Sequence, residues 1–383
     1  MDPLEDTRRY ATISDDALGS LRRLIGVPIT DTVEPWCYEV TRDNIRHYAH
    51  GIGDDNPLWC DPTYAGAGPH DGIVAPPSFL FALNRVLSGY VGGLPGIHAM
   101  WAGADLRWHD WFRRGDEITV TAHLKELVEH QTRFAGRSVQ QIYHAEFRNQ
   151  RDELIADGDS WCFRTERDTA RELGTKYDTA KARPQMAYNE AELEKIWSLY
   201  RDEQVRGAEP RYLQDVTVGE AVSPIAKGPM TVTGYIGYAQ GWGGLYIRAN
   251  KLAWQQLEKH PGLGIANKFG IPDVPERVHW EDDLATDVGT PAAYDYGPER
   301  CSWLTHHITN WMGDHGFLVS HRSQIRRHNP VGDWITIHGE VSALRPGAGD
   351  NGETLVEITQ EAHNQDGELS ATGVALVRLP SKP

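Results

Sequence analysis

GDDNPLWCDPTYA, residues 53–65, closes a run that starts with YAHGIGD at 48–54, and the chain contains that run twice. YAQGWGG at 238–244 repeats its beginning, and HWEDDLA at 279–285 repeats WCDPTYA at 59–65. Two further pairs keep the order: RGDEITV at 114–120 with VGDWITI at 331–337, and NQRDELIADG at 149–158 with NQDGELSATG at 364–373. Four blocks in one order across two halves read as a single unit duplicated and fused, not as the 20–50-residue period of a solenoid. The first two blocks stand further apart in the second copy, which makes 245–278 an insertion between Gly244 and His279.

Each copy predicts the same elements. A helix over Pro77 to Tyr90, and its counterpart over Arg300 to Met312, precede strands punctuated by turns. DEITVTAHL, QQIYHAEFR and SWCFRTE in the first half alternate or run β-branched and apolar, as do DWITIHGEV, TLVEITQEAHN and GVALVRL in the second. NQRDE and NQDGE fit tight hairpins, because Asn, Asp and Gly accept the positive φ of such turns. A helix followed by an antiparallel sheet is an α+β unit whose sheet wraps the helix to bury both apolar faces. Between the copies, NEAELEKIWSLYRDEQ places Leu193, Ile196, Trp197 and Tyr200 at the spacing of an amphipathic helix.

Composition fits two folded domains. The 383 residues are 40% hydrophobic and 24% charged, near the averages of globular proteins. A net charge of −16, spread along the chain, argues against nucleic-acid and anionic-membrane partners. Four separated cysteines, Cys37, Cys60, Cys162 and Cys301, form no CxxC pair and read as reduced thiols. MDPLEDTRRYATISDDAL lacks the apolar stretch of a signal peptide, so the expected location is the cytoplasm. The glycines of GIGD and GWGG make no G-x-G-x-x-G between strand and helix, and no cofactor is expected. His306 and His307 point about 100° apart on a helix, so neither they nor Asp314 with His315 is expected to bind a metal.

The stretch 53–65 resembles the G-D-x-N-P-x-H signature of type 2 (R-specific) enoyl-CoA hydratases and the wider MaoC-like dehydratase family, with Ala65 at the small position that follows. GIVAPPSFL resembles the family's entry to its central helix, and LRWHDWFRRGD its next strand and Gly-Asp turn. The resemblance covers roughly 36–165 and 211–380. It implies a double hotdog: residues 1–165 as one hotdog with a short N-terminal helical extension, 166–210 as a polar helical linker, and 211–383 as the second hotdog carrying the insertion 245–278.

The resemblance also implies a reaction, the addition or removal of water at the 2,3-position of an acyl-CoA thioester, by a hydro-lyase that needs no cofactor and works as a possible homodimer. The family places an Asp and a His five residues apart on one loop. Here the first copy keeps Asp54 and Asn56 but has Trp59 in place of the His, which reads as a vestigial loop or a structural turn. The second copy has His279 but Gly244 where the Asp belongs. His279 is therefore the expected catalytic residue. Its acidic partner is expected to be Asp295, at the entrance to the second central helix, with Asp273 in second place and a helix N-cap as the other reading of Asp295. Tyr294 and Gly297 beside it are expected to bind substrate. The alternatives are a hotdog acyl-CoA thioesterase using a carboxylate on the central helix, and a non-catalytic acyl-CoA-binding or scaffold subunit.

Overall fold

The YAHG and YAQG blocks end two helices, Arg42–Gly51 and Val232–Trp242, and explain why the repeat carries glycine. Thr41 and Thr231 cap them alike, each accepting a hydrogen bond from the N–H three residues on. The two helices pack against each other by equivalent residues. A Cβ on Gly51 would lie 3.1 Å from the Gly237 carbonyl oxygen, and one on Gly241 only 2.5 Å from that of His47. Each copy thus offers its glycine to the other's backbone, a contact that a larger residue at 241 would force apart. The computed structural model describes residues 12–29, 34–95, 97–132, 136–166 and 186–383.

Among the described residues, nine strands form one antiparallel sheet. The first half contributes β1 (His98–Trp108), β2 (Thr119–Thr132), β3 (Gly136–Arg148) and β4 (Leu154–Thr165). The second contributes β5 (Ala221–Lys227), β8 (Phe317–Ile325), β9 (Ile335–Arg345), β10 (Leu355–Asn364) and β11 (Leu369–Arg378), while β6 (Ile265–Ala266) and β7 (Pro272–Asp273) pair separately inside the insertion. The order is β2-β3-β4-β1-β8-β11-β10-β9-β5. It reads as the same four-strand pattern twice, with β5 added at the outer edge of the second, joined where β1 meets β8 from Gly103↔Gln324 to Arg107↔Ser320. The repeated hairpins are alike in detail: Asn149 accepts from the N–H groups of Arg151 and Glu153, and Asn364 from those of Asp366 and Glu368. Asp152 (φ 61°) and Gly367 (φ 76°) take the left-handed positions.

The central helices differ between the copies. The second runs Gly297–Met312 and is buried along almost its whole length. Cys301, Trp303, Leu304, Ile308 and Trp311 face the core there, each apolar side chain worth about 1.5–3 kcal/mol of burial. The first is far shorter than the expected Pro77 to Tyr90: a 3-10 turn, Pro77–Phe79, and one α-turn, Leu80–Leu83. Asn84 ends it by adopting extended angles (φ −147°, ψ 126°). Its Oδ1 accepts from the N–H groups of Val86 and Leu87 (2.6 and 3.0 Å), and the Ser88 hydroxyl donates to the carbonyls of Phe81 and Asn84. Side-chain bonds of this kind compete with the helix ladder, and here they replace it.

Between the copies, the helix Glu190–Arg201 is closed by a capping box of Asn189 and Glu192 and rests on the body through Ile196. Among the described residues, no helix is long and apolar enough to cross a membrane.

Candidate active site

In the first half the loop 53–59 is closed upon itself. Asp54 accepts from the Asn56 N–H (3.0 Å) and, through its other oxygen, from the Trp59 indole N–H (2.9 Å). Asn56 accepts from the Leu58 N–H, and all three side chains are buried. The indole therefore takes the hydrogen-bonding place beside Asp54 that a histidine would fill, but it is a donor only, with no basic lone pair to take a proton. A buried charge network backs the loop: Lys227 donates to the carbonyls of Ile52 and Gly53 and meets His306 Nδ1 at 2.9 Å. His306 Nε2 lies 3.2 Å from Glu203 and 3.6 Å from Asp54. Burial lowers the pKa of Lys227, against the pull of Glu203 and Asp54. His307 points elsewhere, to Gln360 and the Ser223 carbonyl. Among the described residues no group of three or more histidines, cysteines or acids is placed to hold a metal.

In the second half the corresponding loop opens. Gly243 (φ 89°) and Gly244 (φ 59°) turn the chain out of the helix Val232–Trp242 and into the insertion. The insertion continues as a helix, Asn250–Lys259, and the β6-β7 hairpin, then returns as a 3-10 helix, Pro275–His279. His279 comes to rest against the start of the second central helix. Its ring stacks on Tyr296 (centroids 3.7 Å apart, planes 27° apart), and Nδ1 lies 2.7 Å from the Tyr294 carbonyl oxygen. A carbonyl only accepts, so Nδ1 bears the hydrogen and Nε2 the lone pair. Burial lowers the pKa of this ring to about 4, which keeps it neutral at physiological pH. Tyr296 packs in turn on Trp242 and Tyr238, an aromatic wall behind the imidazole.

The two acids expected to serve His279 are placed for other work. Asp295 is fully buried and forms a two-pronged ion pair with Arg300, Nε to Oδ2 at 2.8 Å and Nη2 to Oδ1. Its oxygens also accept from the Asn329 backbone N–H (3.0 Å) and side-chain amide (2.9 Å). Four donors leave its carboxylate committed, and none of them is His279 or the N–H of a helix cap. Asp273, on β7, accepts from the Val274 N–H and lies 3.8 Å from Arg277, half exposed. Gly297 begins the helix under the Trp101 ring, where a Cβ would come within 2.5 Å. Glu299, a carboxylate on the central helix, folds back to accept from the Tyr296 N–H (3.3 Å).

A residue that sequence reasoning missed, Glu276, brings its carboxylate beside Gly244, the aligned position that lacks the family's acid. It precedes His279 by three residues in the 3-10 helix, and side chains at that spacing eclipse one another. Its carboxylate is buried. It accepts from the N–H groups of Leu245 (3.0 Å) and Tyr246 (2.7 Å), and the Tyr296 hydroxyl lies 3.3 Å away. Burial raises its pKa above the usual carboxylate value, opposed by those N–H groups and by Arg85. The sequence signal was local, the spacing E-x-x-H in PERVH, but it is visible only once 275–279 is known to be a 3-10 helix.

The tandem sheet, each half backed by a helix and bearing one of the paired loops, defines a double hotdog. Residues 24–158 match the family described as the FAS1-like dehydratase domain region. A UPF0336 protein of Parafrankia sp. (strain EAN1pec) is 32% identical over 126 residues, 32% of this chain and 80% of that protein. A UPF0336 protein of Streptomyces avermitilis is 33% identical over 95 residues, 24% of this chain, and the match spans only 63% of that relative's length. Among solved structures, a MaoC-like dehydratase superposes with a TM-score of 0.61 at 16% identity, covering 90% of this chain and 95% of that one. A putative MaoC domain protein dehydratase from Chloroflexus aurantiacus gives 0.56 at 12%, covering 90% and 93%. A Mycobacterium tuberculosis protein with a double hotdog fold gives 0.50 at 9%, covering 89% and 93%. The chain belongs to the same family as the UPF0336 proteins, and its fold is the double hotdog that it shares with MaoC-like dehydratases.

Proposed function

We propose that this protein adds water to, or removes it from, the 2,3-position of an acyl-CoA thioester, and that the reaction takes place in the second half. The observation that carries this reading is the state of His279. It is a neutral imidazole, fixed by the Tyr294 carbonyl so that the Nε2 lone pair is available to hold a water, and it sits at the N-terminal end of the second central helix. The same helix end suits the thioester oxygen. Negative charge that builds on that oxygen as the enolate forms would be stabilised by the Gly297 N–H and by the helix dipole. Glu299 gives little support to a thioesterase, because its carboxylate caps its own helix instead of facing outward.

Assay of the purified protein against a panel of enoyl-CoA, 3-hydroxyacyl-CoA and saturated acyl-CoA esters tests the reading. Interconversion of the first two supports it. Release of free CoA from the third identifies a thioesterase, and inertness towards all three identifies a binding or scaffold protein.

The first-half loop is expected to be dispensable for turnover. Asp54→Asn removes a charge that faces Trp59, His306 and Lys227, so it should lower stability, yet kcat of the folded enzyme should stay within about tenfold, roughly 1.4 kcal/mol in the barrier. Rates measured beside a denaturation curve separate the two effects. A loss of several orders of magnitude in kcat would move the reaction to the first half.

A further inference from the structure

We propose that Glu276 is the catalytic carboxylate of this site, supplied by the insertion at the place where the second copy has lost its acid at Gly244. The proposal rests on the hydratase reading above and names a residue for it.

Three observations point to the same place. The first is spatial. A Cβ built on Gly244 would lie 2.8 Å from Glu276 Oε1, so the carboxylate already stands where a side chain at 244 would begin. The second is the hydrogen bonding. In the first copy Asp54 accepts from the N–H of Asn56, two residues on. In the second copy the residue aligned with Asn56 is Tyr246, and its N–H is donated to Glu276 at 2.7 Å. The backbone thus offers its N–H to a carboxylate in both copies, and only the origin of the carboxylate differs. The third is the neighbour. Asp54 is paired with Trp59 in the position that aligns with His279, whereas Glu276 shares one face of a 3-10 helix with His279 itself, and Tyr296 touches both. The insertion, on this reading, replaces one half of the lost acid–histidine pair and carries in the other.

The chemistry follows from the charge states. A water held by His279 Nε2 loses a proton to the ionised Glu276 as its oxygen bonds to C3 of the enoyl thioester. The C2=C3 π electrons move towards the thioester carbonyl and form the enolate. Glu276, now neutral, gives that proton to C2, which leaves a 3-hydroxyacyl thioester and the carboxylate restored. Dehydration is the same path reversed, and no other reactant is required. Such a carrier works best when its pKa lies nearer neutrality than that of a free carboxylate, and burial shifts Glu276 in that direction. The groups that face it are the Tyr296 hydroxyl, the phenol of Tyr246 and the Arg85 guanidinium from the first half, and the Tyr296 ring links it to His279. Arg85 is itself held by the carbonyls of Glu34 and Gly243.

The test is steady-state hydration of an enoyl-CoA by the full chain and by Glu276→Gln, each across pH 4–9, with circular dichroism as a check on folding. The active form requires Glu276 ionised, so wild-type kcat should fall as pH drops through a pKa above the ordinary carboxylate range, before the ring of His279 protonates near 4. Glu276→Gln should lower kcat by about 10²–10⁴ and abolish that acid limb. A side chain that merely clasps the ends of the insertion would shift stability and leave the limb in place. Turnover by Glu276→Gln near the wild-type rate, with His279→Ala inactive, overturns this assignment and leaves the hydratase reading standing. Failure of the wild type to act on any enoyl or 3-hydroxyacyl ester overturns both. Should Glu276→Gln not fold, the wild-type profile decides alone: an acid limb above the carboxylate range supports Glu276, and a flat profile down to pH 4 excludes it.

Discussion

Replacing His279 with alanine should lower kcat for hydration of an enoyl thioester by about 10²–10⁴, the usual contribution of a positioned group in proton transfer, or roughly 3–5 kcal/mol in the barrier. KM should change far less. Removing the imidazole gives up its stack on Tyr296 and its bond to the Tyr294 carbonyl, at some cost in stability, but the Tyr296 ring keeps its packing on Trp242 and Tyr238, so the fold should survive. The loss should therefore appear in turnover. A finer variant is His279→Gln, whose amide can still donate to the carbonyl but offers no imidazole lone pair; it should fold at least as well as the alanine variant and be nearly as slow. Initial rates at saturating enoyl-CoA, compared at equal folded concentration, give the answer. Activity close to wild type in either variant would remove His279 from the reaction.

The parts of this molecule that were legible in its sequence are those that duplication wrote twice. The hairpins at 149–153 and 364–368 were readable because Asn, Asp and Gly at fixed places dictate the turn, and the strands around them followed from alternation. The YAHG and YAQG blocks gave away the pairing of the halves, although the reason for their glycines, a helix crossing too close for a Cβ, needed coordinates. The first central helix was misjudged because Asn84 and Ser88 have side chains that can leave the helix ladder or join it, and tertiary contact decides which. Trp242 donates to the carbonyl of Phe81 in the shortened segment and helps to hold it open. The candidate site was half legible. His279 stood at an aligned position, but Glu276, the acid proposed to serve it, lies in the inserted segment, where alignment with the other copy offers no guide. The entrance acid drew attention through its place in the motif, and its commitment elsewhere depends on Arg300, Asn329 and Ser370, which come together only in the fold.

Asp295→Ala should accordingly cost stability before it costs turnover. Arg300 is buried as completely as its partner, and its guanidinium bridges Asp295, the carbonyl of Arg327 and that of Ser370. Asn329 joins the same set, donating twice to Asp295 and accepting from the Ser370 hydroxyl at 2.7 Å. The ion pair thereby ties the entrance of the second central helix to the turn after β8 and to the start of β11. Attraction within a buried pair roughly offsets the cost of desolvating it, so the intact pair adds little net stability; removing one member leaves a buried charge with no counterion and costs about 3–5 kcal/mol. Asp295→Ala should lower the denaturant midpoint by an amount of that order, and Asp295→Asn by less, since an amide oxygen can still accept from Arg300 or Asn329. The folded fraction of either variant should keep kcat within about tenfold of wild type, because the proposed proton carrier is Glu276. If Asp295→Asn instead unfolded at the wild-type midpoint while losing turnover by orders of magnitude, the ion pair would be serving the reaction and Asp295, not Glu276, would be the acid beside His279.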